Sequence, residues 1–307
     1  MHSPAIIRNV VADVLLDERR RQVWVLCPSL PAPKLKVYHG TTGELMKCTY
    51  VSSKTGECPS ALLAYAYQNE EAPAYVQIDG TDICLKERLD GLRHFFSTPR
   101  SSVVTTLFKD DAHNMDPFVK YYNGKKIGGF LLYDNNPTTT ATFENTIHWP
   151  LPYWSADGEG KIHLAQSTHL THAALVCHIY SPTTWLFNFD FDEYLVMPFT
   201  FDQLCDVAAG AGCDVTGIRS IWANAAEGVV AVAKDPTSIR KSPFYFQWPQ
   251  RSKYGQRHLL EKSLHRGIHA PTWCEKQVIL DPHEGHLLHF AYASGATRNT
   301  NLVFLES

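Results

Sequence analysis

The chain has 307 residues, of which 44% are hydrophobic and 19% are charged, and its formal net charge is −3. This size and composition are ordinary for a globular protein and are sufficient to bury a sizeable core. The slightly acidic balance, with a sequence pI near 6.6, excludes the basic footprint of a nucleic-acid-binding protein, so we expect no nucleic-acid partner.

The sequence shows no signal for membrane insertion or secretion. No apolar run approaches the roughly 18 residues that span a bilayer, and the N-terminus lacks the pattern of a signal peptide. The eight cysteines are scattered without C-x-x-C spacing, so free thiols in a reducing compartment are the simplest interpretation, with two disulfides among the first four as the alternative. We therefore expect a soluble, cytoplasmic protein, and a viral protein in a host cell fits equally.

Residues 1–98 contain short segments rich in β-branched and aromatic residues, separated by turn signals. Segments such as RQVWVLC, KLKVYHG and ALLAYAY read as strands. Their spacing predicts a small β-rich, sandwich-like domain.

Residues 99–307 alternate strand-like and helix-like segments, which predicts an α/β domain with a mostly parallel, Rossmann-like sheet. Two prolines between His148 and Trp154 predict a loop there. The predicted regular elements are a strand at 102–108, a helix that begins at Asp116 and Pro117, a strand at 130–133, a helix at 166–180 and a strand at 185–189.

The segment from Thr184 to Val196 is an apolar strand that ends in Asp190, Asp192 and Glu193. Residues two apart in a strand share a face, so we expect Asp190 and Asp192 to point the same way. Paired carboxylates favour Mn²⁺ or Mg²⁺, and such an ion favours a diphosphate ligand. The alternative is an exposed acidic turn after the strand.

Two other predicted strands also end in polar residues, Lys109 to Asp111 and Asp134 to Asn136. Ligands of open α/β sheets bind beyond the carboxyl ends of the strands. Carboxylate, amide and ammonium groups that converge there suit a nucleoside diphosphate.

Four sequence blocks then occur in a recognisable order: VVTTLFKDDAHNMDPFVKYY, GGFLLYDNNPTT, the helix with Gln166 and Cys177, and WLFNFDFDEYLV. Together they resemble the nucleotide-sugar-dependent glycosyltransferases of the GT-A fold, and the most similar family is glycosyltransferase family 92. The resemblance covers roughly residues 100–295. The arginine usual after the late histidine-aromatic block is absent, and Ala291 stands in its place.

This resemblance implies roles for individual residues. It implies a metal site at Asp190 and Asp192, completed by His289 or His286, and an inverting base among Glu227, Asp214 and Glu193. The implied donor-binding residues are Thr106, Lys109, Asp111, Asp134, Asn136, Asp190 and Lys262. Aromatic residues in loop-like stretches suit stacking on sugar rings, and Trp154, Trp222 and Trp248 are the expected acceptor-binding residues, with Trp222 also matching the family's acceptor-side segment.

The resemblance predicts transfer of a sugar from a UDP-sugar, with galactose or xylose first, to a hydroxyl of an oligosaccharide or glycoprotein glycan, with Mn²⁺ or Mg²⁺ as cofactor. Animal members of the family are Golgi-anchored, so a lumenal Golgi domain is the alternative setting. The residues alone also fit a metal-dependent phosphodiesterase or nucleotidyltransferase. A glycan-binding protein that keeps a transferase fold without catalysis is a further alternative.

Overall fold

The computed structural model describes residues 13–27, 35–39, 42, 44–55, 61–68, 71–78, 81–108, 112–134, 142–150, 162–223, 245–257, 276–280 and 285–289. Across these ranges the chain forms two four-stranded sheets, one nine-stranded sheet and four α-helices.

The first eight strands form the two smaller sheets, both antiparallel. One has the order β1-β2-β6-β5 and the other β4-β3-β7-β8. Val14 and Val25 from the first sheet share a buried cluster with Val37 and Val76 from the second. The strands are β1 (Asp13–Asp17), β2 (Gln22–Cys27), β3 (Leu35–His39), β4 (Leu45–Met46), β5 (Cys48–Thr55), β6 (Ala61–Tyr67), β7 (Pro73–Ile78) and β8 (Thr81–Cys84).

Helix α1 (Leu85–Ser97) follows these strands and was not anticipated from the sequence. Leu85, Leu89 and Leu92 recur at helical spacing and are buried, which explains why this segment is helical. Leu92 belongs to a cluster that also contains Leu15 and Trp24 from the first sheet and residues of the nine-stranded sheet. The N-terminal strands therefore pack directly on the α/β region.

The nine-stranded sheet has the order β11-β10-β9-β12-β15-β14-β17-β13, with β16 beside β14. Five of its eight strand pairings are parallel. The expected mixed α/β class with a mostly parallel sheet is thus confirmed. The strands are β9 (Ser102–Phe108), β10 (Phe130–Asp134), β11 (Thr146–Pro150), β12 (Trp185–Asn188), β13 (Glu193–Val196), β14 (Val215–Ala223), β15 (Tyr245–Gln256), β16 (Gln277–Ile279) and β17 (His286–His289).

Helices cover both faces of this sheet. Helix α2 (Ala112–Gly124) and helix α4 (Phe201–Gly210) contribute Phe118, Tyr122 and Phe201 to the cluster on one face. Helix α3 (Ile162–Tyr180) lies on the other face, where Ala173 and Val176 pack against Leu131 and Leu186 of the strands. Within the described ranges, no helix combines the length and apolar character needed to cross a bilayer.

Two predicted elements differ from the structure. Helix α2 begins at Ala112, so Pro117 lies inside it and removes one intrahelical hydrogen bond. Burial of Met115 and Phe118 on either side outweighs that loss. His148 to Pro150 belong to strand β11 and not to a loop, because β11 is an edge strand, where proline is tolerated.

The chain connectivity identifies where a ligand would bind. From β9 the chain proceeds to β10 and then β11 on one side, and through α3 it returns to β12 on the other side of β9. Ligands of doubly wound sheets bind at such a reversal, beyond the carboxyl ends of the strands. The carboxyl end of β12 leads directly to Asp190.

Candidate functional site

The acidic segment forms a tight turn after β12. The Phe189 amide donates to the Thr105 carbonyl at 3.2 Å, which keeps the chain beside β9 up to this point. The Glu193 amide then donates to the Asp190 carbonyl at 2.9 Å, and the Asp190 amide donates to Glu193 Oε2 at 2.8 Å. Asp190 and Asp192 therefore lie in a turn and not along one strand face, which corrects the geometry expected from the sequence.

A buried lysine on β15 joins this turn. Lys253 Nζ lies 2.8 Å from Asp190 Oδ2 and 3.3 Å from Glu193 Oε2. The Lys253 side chain is only 1% exposed, whereas that of Asp190 is 27% exposed. The acidic turn is thus held on its buried side by ion pairs with Lys253, and its Asp190 side chain is partly exposed to solvent.

The carboxylates keep Lys253 charged. Burial by itself lowers the pKa of this ammonium, but the charges of Asp190 and Glu193, and the hydrogen bonds to them, outweigh burial and raise the pKa above its ordinary value. The carboxylates therefore favour the charged form of Lys253.

Two tyrosines of α2 hold the strand that follows the turn. The Tyr122 hydroxyl donates to the Glu193 carbonyl at 2.9 Å and accepts from the Leu195 amide at 3.1 Å. The Tyr121 hydroxyl donates to the Leu195 carbonyl at 2.8 Å. Burial raises the pKa of Tyr122 well above its ordinary value, so its hydroxyl stays protonated and remains a donor.

The sheet register distinguishes the two candidate histidine ligands. His289 is the Cα partner of Glu193 across β13 and β17, and Trp222 of β14 is the next partner in the same row. His286 pairs with Val196, three positions along the strand and roughly 10 Å from that row. The backbone therefore places His289, and not His286, beside the acidic turn.

A second polar group lies at the carboxyl end of β10. Asp134 is fully buried, and its Oδ2 is 3.5 Å from His148 Nε2. The Phe108 ring at the end of β9 stacks on the His148 imidazole with 5.8 Å between centroids. Asp134 thus lies at the carboxyl end of β10, as predicted. It is close to His148, which was expected in a loop but lies in strand β11.

Three predicted roles do not fit the geometry. Thr106 is fully buried within β9, before the strand end, so its side chain is not exposed to a donor that binds beyond the strand ends. Glu193 is 1% exposed and its carboxylate is occupied by Lys253 and the Asp190 amide, so it is not placed to take a proton from an acceptor.

Asp214, the third residue, lies at the amino end of β14, on the side of the sheet opposite the carboxyl end of β12. It precedes β14 and forms an ion pair with Arg257 at 3.0 Å, and the Arg257 guanidinium lies over the Trp185 ring at the start of β12. From Trp185 to Asp190 the extended chain covers roughly 16 Å. Asp214 is therefore too far from the acidic turn to act as the base there.

The remaining candidates are not tested by the structure. Trp222, Trp248 and His289 are placed by their backbones alone, on β14, β15 and β17. The candidates that lie outside the described residues are Lys109, Asp111, Asn136, Trp154, Glu227 and Lys262.

The acidic turn contains two carboxylates of the kind that a metal site needs. Among the side chains that the structure describes, no group of three or more histidine, cysteine or acidic residues is arranged to hold an ion. Asp190 and Asp192 supply two carboxylates, and the position of His289 adds an imidazole-bearing residue in the neighbouring row. This donor set fits Mn²⁺ or Mg²⁺ with the remaining positions filled by phosphate oxygens or water.

Family models, curated proteins and solved structures were compared with the chain, and none of the three comparisons finds a match.

Proposed function

We propose that this chain is a metal-dependent glycosyltransferase of the GT-A type that transfers a sugar from a UDP-sugar to a glycan hydroxyl with inversion. UDP-galactose and UDP-xylose are the donors to try first. The observation that carries the proposal is the position of the acidic turn, Asp190 to Glu193, at the carboxyl end of β12 where the strand order reverses.

The strand order supports a nucleotide-binding sheet. Strands β11-β10-β9-β12 are all parallel and follow the 3-2-1-4 order of doubly wound folds that bind nucleotides. Asp134, the last residue of β10, is proposed to accept hydrogen bonds from the nucleoside. The division into a β-rich domain up to residue 98 and a GT-A domain from residue 99 is part of the same proposal.

Each carboxylate of the turn has a separate task in this proposal. Asp190 and Asp192 hold the divalent cation, with His289 as the third protein ligand. When bound, the cation supplies Lewis-acid stabilisation of the charge that develops on the departing diphosphate. Glu193 holds the turn closed through the Asp190 amide.

The acceptor hydroxyl must lose its proton to a carboxylate on the far face of the sugar. With Asp214 and Glu193 set aside on geometric grounds, Glu227 is the proposed base. Trp222, Trp154 and Trp248 are proposed to stack on the acceptor sugar.

The test combines ligand-induced stabilisation with donor cleavage. The protein is heated with Mn²⁺ and a panel of UDP-sugars, and donor hydrolysis is followed in parallel. We expect at least one UDP-sugar to raise the melting temperature only when Mn²⁺ is present. Asp192→Asn should abolish this rise, whereas Asp214→Asn, a control at the amino end of β14, should keep it. Absence of stabilisation by every UDP-sugar, or cleavage of phosphodiesters instead, would contradict the proposal.

A further inference from the structure

The buried Lys253 has no role in the chemistry proposed above, yet its ammonium shares a carboxylate with the proposed metal. Its Nζ lies 2.8 Å from Asp190 Oδ2, and the side chain is almost completely buried. A metal cation on the same carboxylate would lie next to the Lys253 ammonium. Like charges at such short range repel strongly in a partly desolvated site.

The ammonium is held in place from two sides. Asp190 and Glu193 both pair with it, and Glu193 is itself fixed by the Asp190 amide. The strand that carries Lys253 lies between β12 and β14, with Ile218 as the Cα partner of Lys253. Lys253 is therefore held beside Asp190 by two ion pairs and by burial within the sheet.

A nucleoside diphosphate changes this balance, because its oxygens bring negative charge to the same place. On the basis of the proposed function, we propose that Lys253 couples metal binding to donor binding: it keeps the affinity of the acidic turn for a divalent cation low until the diphosphate is present. Metal and nucleotide then bind together, and the turn does not retain a cation by itself. Lys253 is in this sense a positioning residue that acts through Asp190.

The experiment measures Mn²⁺ binding by electron paramagnetic resonance, with and without UDP. In the wild-type protein UDP should tighten Mn²⁺ binding by about tenfold or more. Lys253→Met removes the charge with little change in length, and should tighten Mn²⁺ binding without UDP by about tenfold and reduce the effect of UDP. Lys253→Arg keeps the charge and should bind Mn²⁺ within about threefold of the wild type.

Control variants separate this role from a purely structural one. A variant that only loosened the turn would bind Mn²⁺ more weakly, so tighter binding is a signature that structural damage does not produce. Lys125→Met removes a half-buried lysine that donates to the Met197 carbonyl at 2.8 Å, and should leave Mn²⁺ binding unchanged.

The Lys253→Met variant leaves the buried Glu193 carboxylate and the partly exposed Asp190 carboxylate without their partner and is at risk of misfolding. Glu193→Gln and the double variant Lys253→Met with Glu193→Gln avoid this difficulty, because the double variant removes one charge of each sign. The double variant should bind Mn²⁺ about tenfold more tightly than Glu193→Gln alone.

The outcomes separate the two proposals. If the wild-type protein binds no Mn²⁺ even with UDP, the proposed function fails. The wild-type protein could instead bind Mn²⁺ with UDP, while Lys253→Met binds Mn²⁺ without UDP no more tightly than the wild type, and the double variant no more tightly than Glu193→Gln. In that case the coupling role of Lys253 is wrong and the proposed function stands.

Discussion

Replacement of Tyr122 by phenylalanine should destabilise the protein through the strand that follows the acidic turn. The hydroxyl is fully buried, donates to the Glu193 carbonyl and accepts from the Leu195 amide. Loss of one oxygen leaves both backbone groups without this partner, and a buried unsatisfied group costs about 1–3 kcal/mol. We expect Tyr122→Phe to lower the free energy of unfolding by about 2–4 kcal/mol.

The assay is equilibrium unfolding in urea, with Tyr121→Phe as the matched control. Tyr121 makes one such bond, to the Leu195 carbonyl, so its loss should cost only about 1 kcal/mol. Both variants should keep the urea dependence of the wild type, because neither changes the surface exposed on unfolding. If Tyr122→Phe costs no more than Tyr121→Phe, then the hydroxyl of Tyr122 does not hold the strand and this account of the turn's support is wrong.

Three further predictions follow from the described residues. Gly255→Ala places a Cβ in contact with the Phe187 ring and should lower stability by about 1–3 kcal/mol, whereas Gly210→Ala, where a Cβ meets nothing within 4 Å, should change stability by less than about 0.5 kcal/mol in thermal unfolding. Asp214→Asn should leave glycosyl transfer within about twofold of the wild type, because its ion pair with Arg257 lies at the amino end of β14, away from the acidic turn; a large loss of transfer in kinetic assays would support Asp214 as the base instead. The pKa of Tyr122 is raised above its ordinary 10.0, so the stability gained from its neutral hydroxyl is present below pH 10 and is lost as the pH rises above it; urea midpoints across this range should therefore fall less steeply for Tyr122→Phe than for the wild type.

The local sequence pattern was sufficient to predict the strands that lead to the candidate site. The strand predicted at 102–108 is β9 with the same bounds, and the predicted strand at 185–189 contains β12. Both are short apolar runs between turn signals, which is a local property. The sequence also predicted that Asp190 follows the end of β12, because the apolar run stops there.

The geometry of the turn from Asp190 to Glu193 could not be predicted from the sequence pattern. A strand rule places Asp190 and Asp192 on one face, but the Glu193 side chain returns to the Asp190 amide and closes a turn. Lys253 lies 63 residues from Asp190 in the chain and reaches it only through the antiparallel pairing of β15. Such a contact depends on strand order and register, which a single sequence does not specify. The contact between Asp134 and His148 was not predicted either. The prolines after His148 favoured a loop, whereas the structure has an edge strand there.

The central claim is that Asp190 and Asp192 bind a divalent cation that contacts the diphosphate of a nucleotide donor. The most direct measurement is a crystal structure grown with Mn²⁺ and UDP, in which the anomalous scattering of manganese locates the ion. The account predicts one anomalous peak bonded to the carboxylates of both residues and to oxygens of the diphosphate. A bound UDP with no peak at these carboxylates, or a peak elsewhere on the sheet, would contradict it.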